Sequence, residues 1–252
     1  MVYFIGAGPG AVDLITVRGA KLIRTADVII YAGSLVNPAL LEDAKENCKI
    51  YNSASMTLEE VIGVFAAEEG PGKILVRLHT GDPSIYGAIR EQMDLLIEQG
   101  IKYEVVPGVS SFCGAAAALN AEFTLPGVSQ TVILSRMEGR TPVPPQEEIS
   151  KLASHQASMV LFLTSSLIDQ LAVRLMEGGY KEDTPAAIVY KATWPDQKII
   201  RTTVAALAES AKEHNITKTA LILIGDFLSG EYERSKLYDK NFTHEFRKAV
   251  TE

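Results

Sequence analysis

The chain has 252 residues, 47% of them hydrophobic and 22% charged, with a formal net charge of −7. That length and composition suit one large domain or two small ones with a full core, and they exclude bulk disorder. The acidic balance without any basic run argues against a nucleic-acid partner, and no apolar run reaches the roughly 18 residues of a membrane span.

The first apolar run, VYFIG at 2–6, is strand-like and stops at Gly6. It lacks the charged leader and cleavage site of a signal peptide. Cys48 and Cys113 lie far apart, so neither a disulfide framework nor a Cys-x-x-Cys zinc site is expected. A cytoplasmic location is the expectation. Further strand-like runs occupy 27–33, 48–52, 73–81 and 102–108. Between strands, helical periodicity covers Ile15–Arg24, Leu58–Glu69, Ile85–Glu98 and Ser110–Leu119. Repeated strand-then-helix order with near-continuously apolar strands predicts a parallel α/β sheet covered on both faces.

Pro126-Gly127 marks a turn, after which a second set of strands begins at 131–136, 158–165, 186–193, 198–204 and 219–226. The pair flanking Trp194-Pro195-Asp196-Gln197 reads as a hairpin, so this second sheet is predicted to be mixed. The expected organisation is an α/β domain over 1–120, another over 121–230, and a charged tail over 231–252.

Three strand ends carry glycine. The first, Gly6-Ala7-Gly8-Pro9-Gly10-Ala11, fits G-x-G-x-x-G/A. Pro9 removes one amide from a phosphate cradle, the following helix starts late, and the second strand ends in Tyr31-Ala32-Gly33-Ser34 without the acid a ribose would need. A ligand-free turn and a dinucleotide loop both stay open on the pattern alone. The second edge, His79-Thr80-Gly81-Asp82-Pro83, offers a carboxylate that accepts from an amine or ribose, or else caps a helix beginning near Ser84 or Ile85. The third, Pro107-Gly108, leads to Ser110 and Ser111 at a helix start. Ligands of open α/β sheets bind outside the carboxyl ends of strands, so three such ends suggest one pocket. No phosphate loop with Gly-Lys-Ser/Thr and no G-x-S-x-G elbow occurs, and His79, His155, His214 and His244 lack metal spacing.

The stretches FIGAGPG…DLIT (4–16), ADVIIYAGSLV (26–36), GDPSIYGAI (81–89) and VVPGVSSF (105–112) resemble the tetrapyrrole methylases, the S-adenosylmethionine-dependent enzymes of corrin and sirohaem synthesis. The resemblance covers essentially the whole chain. Three further stretches, QTVILSRMEGRTPVP (130–144), VYKATWPDQKIIRTT (189–203) and ERSKLYDKNFTH (233–244), are similar to the branch whose acceptor is precorrin-4, with or without cobalt, methylated at C-11. The alternative is another precorrin or uroporphyrinogen methylase of the same fold. The resemblance implies the tetrapyrrole methylase fold, two α/β domains with the active site in the cleft between them, and a homodimer. It implies S-adenosylmethionine as donor and S-adenosylhomocysteine as product; no resident metal is expected, since the histidines lack ligand spacing. The donor contacts it implies are Pro9, Thr80, Gly81, Asp82, Ile85, Ser110 and Ser111, with Leu163, Ala192 and Ala220 in the second half. One departure stands out: where the family loop often reads Gly-Pro-Gly-Asp-Pro, here Ala11-Val12 follow Gly10 and the acid is Asp13.

A tetrapyrrole acceptor carries many carboxylates. Arg77, His79, Arg136, Arg140 and Lys191 are candidate cations for them, each with a surface or structural role as the alternative. Trp194, the only tryptophan, is a candidate to stack on the macrocycle or to pack internally. Tyr86 faces the donor or caps a helix. The implied chemistry is attack by a ring carbon on a sulfonium methyl, which needs positioning rather than a catalytic triad. A dinucleotide oxidoreductase, a macromolecular methylase and a non-catalytic tetrapyrrole carrier are the rival functions.

Overall fold

In the computed structural model, which describes residues 1–249, the chain divides into two compact units. The first comprises Met1–Ala118 with Lys191–Lys198, and the second comprises Leu119–Tyr190 with the residues from Ile199 onward. The return of 191–198 to the first unit differs from the expectation that placed them in the second domain. The reason is local bonding: Trp194 and Thr193 hydrogen-bond to Pro9 and Ala11. Residues 231–249 of the expected tail belong to the second unit, where the Glu233 amide donates to the Pro126 carbonyl at 3.0 Å. Residues 250–252 lie outside the described residues.

The first unit is built on β1 (Val2–Gly6), β2 (Val28–Tyr31), β3 (Lys49–Asn52), β4 (Leu75–His79) and β5 (Tyr103–Val106). They form one parallel sheet in the order β3-β2-β4-β1-β5. Alternate residues feed two cores. Val2, Phe4, Val28, Ile30 and Leu75 pack with Val61, Ile62 and Phe65 of α2 (Leu58–Glu68) and Leu96 of α3 (Ile89–Glu98). Ile5, Ile29, Val76, Leu78 and Val106 pack on the other face with Ile23 of α1 (Val17–Thr25). This two-sided burial explains the unbroken apolar runs. The Thr16 side chain caps α1 by accepting from the Gly19 amide at 3.1 Å. A capping box formed by Thr57 and Glu60 starts α2.

Between β2 and β3, where no helical periodicity is found, the chain makes short 3-10 turns at Gly33–Leu35 and Pro38–Leu41. One element differs from the sequence reading. The helix expected from Ser84 or Ile85 begins only at Ile89, because Tyr86 (φ 55°) and Ala88 (φ 48°) adopt the left-handed conformation that interrupts a right-handed helix. The fourth helix, α4 (Ser111–Leu119), follows β5.

The second sheet has the order β6-β7-β10-β8-β9, from β6 (Val132–Arg136), β7 (Ser158–Phe162), β8 (Pro185–Tyr190), β9 (Lys198–Thr203) and β10 (Ala220–Ile224). The β6–β7 pair is parallel, and β10 runs antiparallel to both β7 and β8, so the sheet is mixed as predicted. β8 and β9 are neighbours joined by residues 191–197, a connection too short for a parallel crossover, hence a hairpin. Helices α5 (Ile149–Ala153), α6 (Ile168–Glu177) and α7 (Leu207–Glu213) cover a core that includes Met159, Leu161, Ile188 and Ile222. Among the described residues no helix is long and apolar enough to cross a membrane.

Candidate functional site

The first sheet has a topological switch point. From β1 the chain crosses to β2 on one side, whereas from β4 it crosses to β5 on the other, and β1 and β4 are adjacent. Connections that leave in opposite directions open a crevice at the carboxyl ends of the two strands. The glycine edges lie there, because β4, β1 and β5 are consecutive in the sheet. The Ala7 amide donates to the His79 carbonyl at 2.7 Å, and Gly8 and Gly81 exchange amide-to-carbonyl bonds of 3.3 and 2.8 Å. A Cβ at Gly6 would lie 2.6 Å from the Gly108 nitrogen. These glycines therefore let three strand ends approach one another. Gly81, with φ 62°, also occupies a conformation that favours glycine.

Asp82 ties two of these edges together. Its Oδ2 accepts from the Gly108 amide at 2.8 Å, and its Oδ1 accepts from the Ser84 amide at 2.8 Å and from the Ser84 hydroxyl. Burial pushes its carboxyl pKa up, but the bonds from Ser84 and Gly108 outweigh that, and the net shift is downward. A carboxylate has about four acceptor sites, so three of them serve the protein itself. Ile85 closes the turn by donating to the Asp82 carbonyl at 3.2 Å. Tyr86, in the strained turn, is 46% exposed. Pro9 is buried against Gly114 of α4, Ser110 is buried, and Ser111 opens that helix.

Among the described residues of the first unit, two buried side-chain atoms lack a partner, His79 Nε2 and Thr80 Oγ1. Both belong to the carboxyl end of β4. Buried polar atoms are nearly always paired, so the orphaned Thr80 hydroxyl, directly after β4, is the feature that fits a ligand with polar groups. The fit concerns the chemistry of the rim: backbone groups, small residues and hydroxyls, with no ion-binding cluster. Among the described residues no group of three His, Cys, Asp or Glu side chains could hold a metal.

The candidate cations are placed unequally. Arg77 is buried, donating from Nε to Gln92 Oε1 at 3.0 Å and from Nη1 to the Ile30 carbonyl at 3.2 Å. It ties β4 to β2 and α3, and burial lowers its pKa to about 10. Burial, with the Arg77 charge adding to it, lowers His79 to about 3, so the imidazole is neutral at physiological pH. Neither presents a solvent-facing charge. Arg136, at the end of β6, donates to the carbonyls of Met137, Thr141 and Pro142 and shapes that loop. Arg140 is exposed in the same loop. Lys191 pairs with Asp196 at 2.6 Å and lies 5.5 Å over the Trp194 ring.

In the second sheet, Leu163 follows β7 and Ala220 begins β10. The pairing of Leu161 with Ile222 puts these two positions opposite each other, beside the end of β6 that carries Arg136. Ser165 Oγ donates to the Ala220 carbonyl at 3.1 Å. Leu163 is 68% exposed and left-handed at φ 52°. A leucine held in that conformation costs about 1–2 kcal/mol in backbone energy. Ala192 is buried in the first unit between two left-handed residues, Lys191 (φ 46°) and Thr193 (φ 68°). Gln92 and Thr193 escaped the sequence reading. Thr193 bonds to Ala11 across 182 positions, and only a long-range contact signal would have found it.

Comparison with known proteins extends this picture. Residues 1–208 match the profile of the family described as Tetrapyrrole (Corrin/Porphyrin) Methylases. The chain is 57% identical over 249 residues to the cobalt-precorrin-4 C(11)-methyltransferase of Methanocaldococcus jannaschii, covering 98% of this chain and 96% of that protein. It is 46% identical over 239 residues to the precorrin-4 C(11)-methyltransferase of Mycobacterium tuberculosis, covering 94% and 95%. Among solved structures, a cobalt precorrin-4 methyltransferase superposes with a TM-score of 0.88 at 50% identity, covering 90% of this chain and 95% of that one.

Proposed function

Because the chain belongs to the tetrapyrrole (corrin/porphyrin) methylases, we propose that it is an S-adenosylmethionine-dependent methyltransferase acting on C-11 of precorrin-4, in its cobalt form. The observation that supports this most is the 57% identity over 98% of the chain with a relative named for that reaction. The cobalt form is preferred because the relative named for the cobalt-free acceptor is less similar, at 46%. Cobalt enters as part of the substrate. A homodimer in the cytoplasm belongs to the same proposal, and sedimentation velocity tests the dimer.

Bound S-adenosylmethionine would supply an electrophilic methyl on a sulfonium, a group reactive enough to need no covalent enzyme intermediate. The chain's own residues bind, orient and exclude water. Pro9, Thr80, Gly81, Asp82, Ile85, Ser110 and Ser111 on the first sheet's rim would hold the donor, with Leu163, Ala192 and Ala220. Thr80 offers its unpaired hydroxyl, and Asp82 holds the second and third glycine edges at a fixed spacing. The exposed Arg140 and the partly exposed Lys191 are better placed than Arg77 or His79 to meet acceptor carboxylates. Orientation of two reactants contributes about 7–11 kcal/mol in favourable cases, which makes a positioning site sufficient without an acid–base triad.

The test is equilibrium binding followed by turnover. S-adenosylmethionine should bind and NAD or NADP should not; the purified chain should then add one methyl to cobalt-precorrin-4 faster than to metal-free precorrin-4 or uroporphyrinogen III. Binding of a nicotinamide dinucleotide in place of the methyl donor would overturn the reading.

A further inference from the structure

Residues 191–198 carry an arrangement that the proposed reaction does not by itself require. Trp194 Nε1 donates to the Pro9 carbonyl at 3.1 Å, and Thr193 Oγ1 accepts from the Ala11 amide at 3.0 Å. Between these two bonds the indole lies so close to Gly10 that a Cβ there would sit 2.9 Å from Trp194 Cγ. Three consecutive residues of the first glycine edge are thus held by two adjacent residues far away in sequence. The holding pair is itself braced. The Thr193 amide donates to Gln197 Oε1 at 2.6 Å, and Lys191 bridges Asp196 and the indole face.

Backbone strain points the same way. Thr193 sits at φ 68°, where a β-branched residue is a marked outlier and Gly or Asn would be relaxed. A segment that merely joined two strands would shed that strain. Threonine there keeps a hydroxyl aimed at the Ala11 amide. Pro9 has no amide of its own, so its carbonyl is the backbone polar group by which that residue can be oriented, and the indole N–H takes it.

We propose that Trp194 and Thr193 are positioning residues that fix the Pro9–Ala11 loop in the orientation that receives the methyl donor. Affinity for the donor is then set by two hydrogen bonds from residues outside the glycine motif. This inference rests on the proposed use of S-adenosylmethionine. It assigns Trp194 to the loop rather than to stacking on the acceptor.

The experiment is calorimetric titration of the full chain with S-adenosylhomocysteine, read beside thermal unfolding without ligand and the emission of Trp194, the only tryptophan. Wild type should bind with a shift in that emission. Thr193→Val and Trp194→Phe should each weaken binding about tenfold, the effect of one hydrogen bond, and Thr193→Ser should restore it. Thr193→Gly relieves the strained backbone, so it should unfold no earlier than wild type yet bind more weakly, a split that a purely structural role does not produce. If Trp194→Phe does not fold, the three Thr193 variants decide. Wild-type affinity in folded Thr193→Val and Thr193→Gly overturns the positioning role, whereas failure of wild type itself to bind overturns the donor assignment on which it rests.

Discussion

Replacing Asp82 with alanine should weaken the protein's own framework before any ligand is added. The Gly108 amide donates to Asp82 Oδ2 at 2.8 Å, and Ser84 supplies two bonds to Oδ1. Ser84 is exposed, so water replaces its partner at little cost, but Gly108 is half-buried and its amide loses an acceptor. A hydrogen bond to a charged group contributes about 1.5–3 kcal/mol, and a buried amide left unpaired costs a similar amount. Allowing for partial access of water, Asp82→Ala should cost about 2 kcal/mol, or roughly 4–8 °C in unfolding midpoint for a chain of this size. Scanning calorimetry at pH 7 measures it. The acid dependence carries a sign. The folded-state pKa lies below the ordinary carboxylate value, so the stabilisation is present above that ordinary value, near 4, and is lost as pH falls through the folded one. The difference between wild type and Asp82→Ala should shrink under acid conditions. An alanine variant that unfolds with the wild-type midpoint yet loses S-adenosylhomocysteine binding would refute the reasoning and assign the carboxylate to the ligand alone.

His79, held at about pKa 3, is protonated more readily in the unfolded chain. Wild-type stability should therefore fall as pH drops from about 6.5 towards 3, by up to about 1.4 kcal/mol per pH unit. Urea titrations between pH 7 and 4.5 should show a shallower slope for His79→Leu, and identical slopes would contradict the neutral, buried imidazole. Leu163→Asn relaxes a left-handed residue and should raise the unfolding midpoint by the equivalent of about 0.5–1 kcal/mol, which calorimetry reads. Gly10→Ala drives a methyl into the indole and should cost about 1–3 kcal/mol, with a change in Trp194 emission that confirms where the strain falls.

The parallel sheet was legible because strands buried on both faces must be apolar, and VYFIG, DVIIYAG and KILVRLHTG each end at glycine where the chain turns. Those endings also pointed to one candidate rim, since β4, β1 and β5 are consecutive in the sheet and their ends lie side by side. What the glycines do was not legible. Gly6 and Gly108 make room for each other, and Gly10 makes room for an indole 184 positions away in the chain. The start of α3 was misplaced because its periodicity extends back to Ile85, while Tyr86 and Ala88 adopt left-handed conformations that apolar periodicity does not report. Arg77 and His79 looked like rim cations because charged residues near strand ends are usually solvated. Their alternation with Val76 and Leu78 instead directs them to the α2–α3 side of the sheet, where Gln92 meets Arg77. Thr193 carries no local signal at all, since its partner and its strained backbone both come from tertiary structure.

The most direct measurement is the position of the transferred carbon. S-adenosylmethionine carrying a carbon-13 methyl, cobalt-precorrin-4 and the purified chain are combined, and the product is examined by carbon NMR and mass spectrometry. The account predicts one added methyl, with the label on C-11. Label on any other ring carbon, or an unmodified acceptor in the presence of a donor that demonstrably binds, would contradict it.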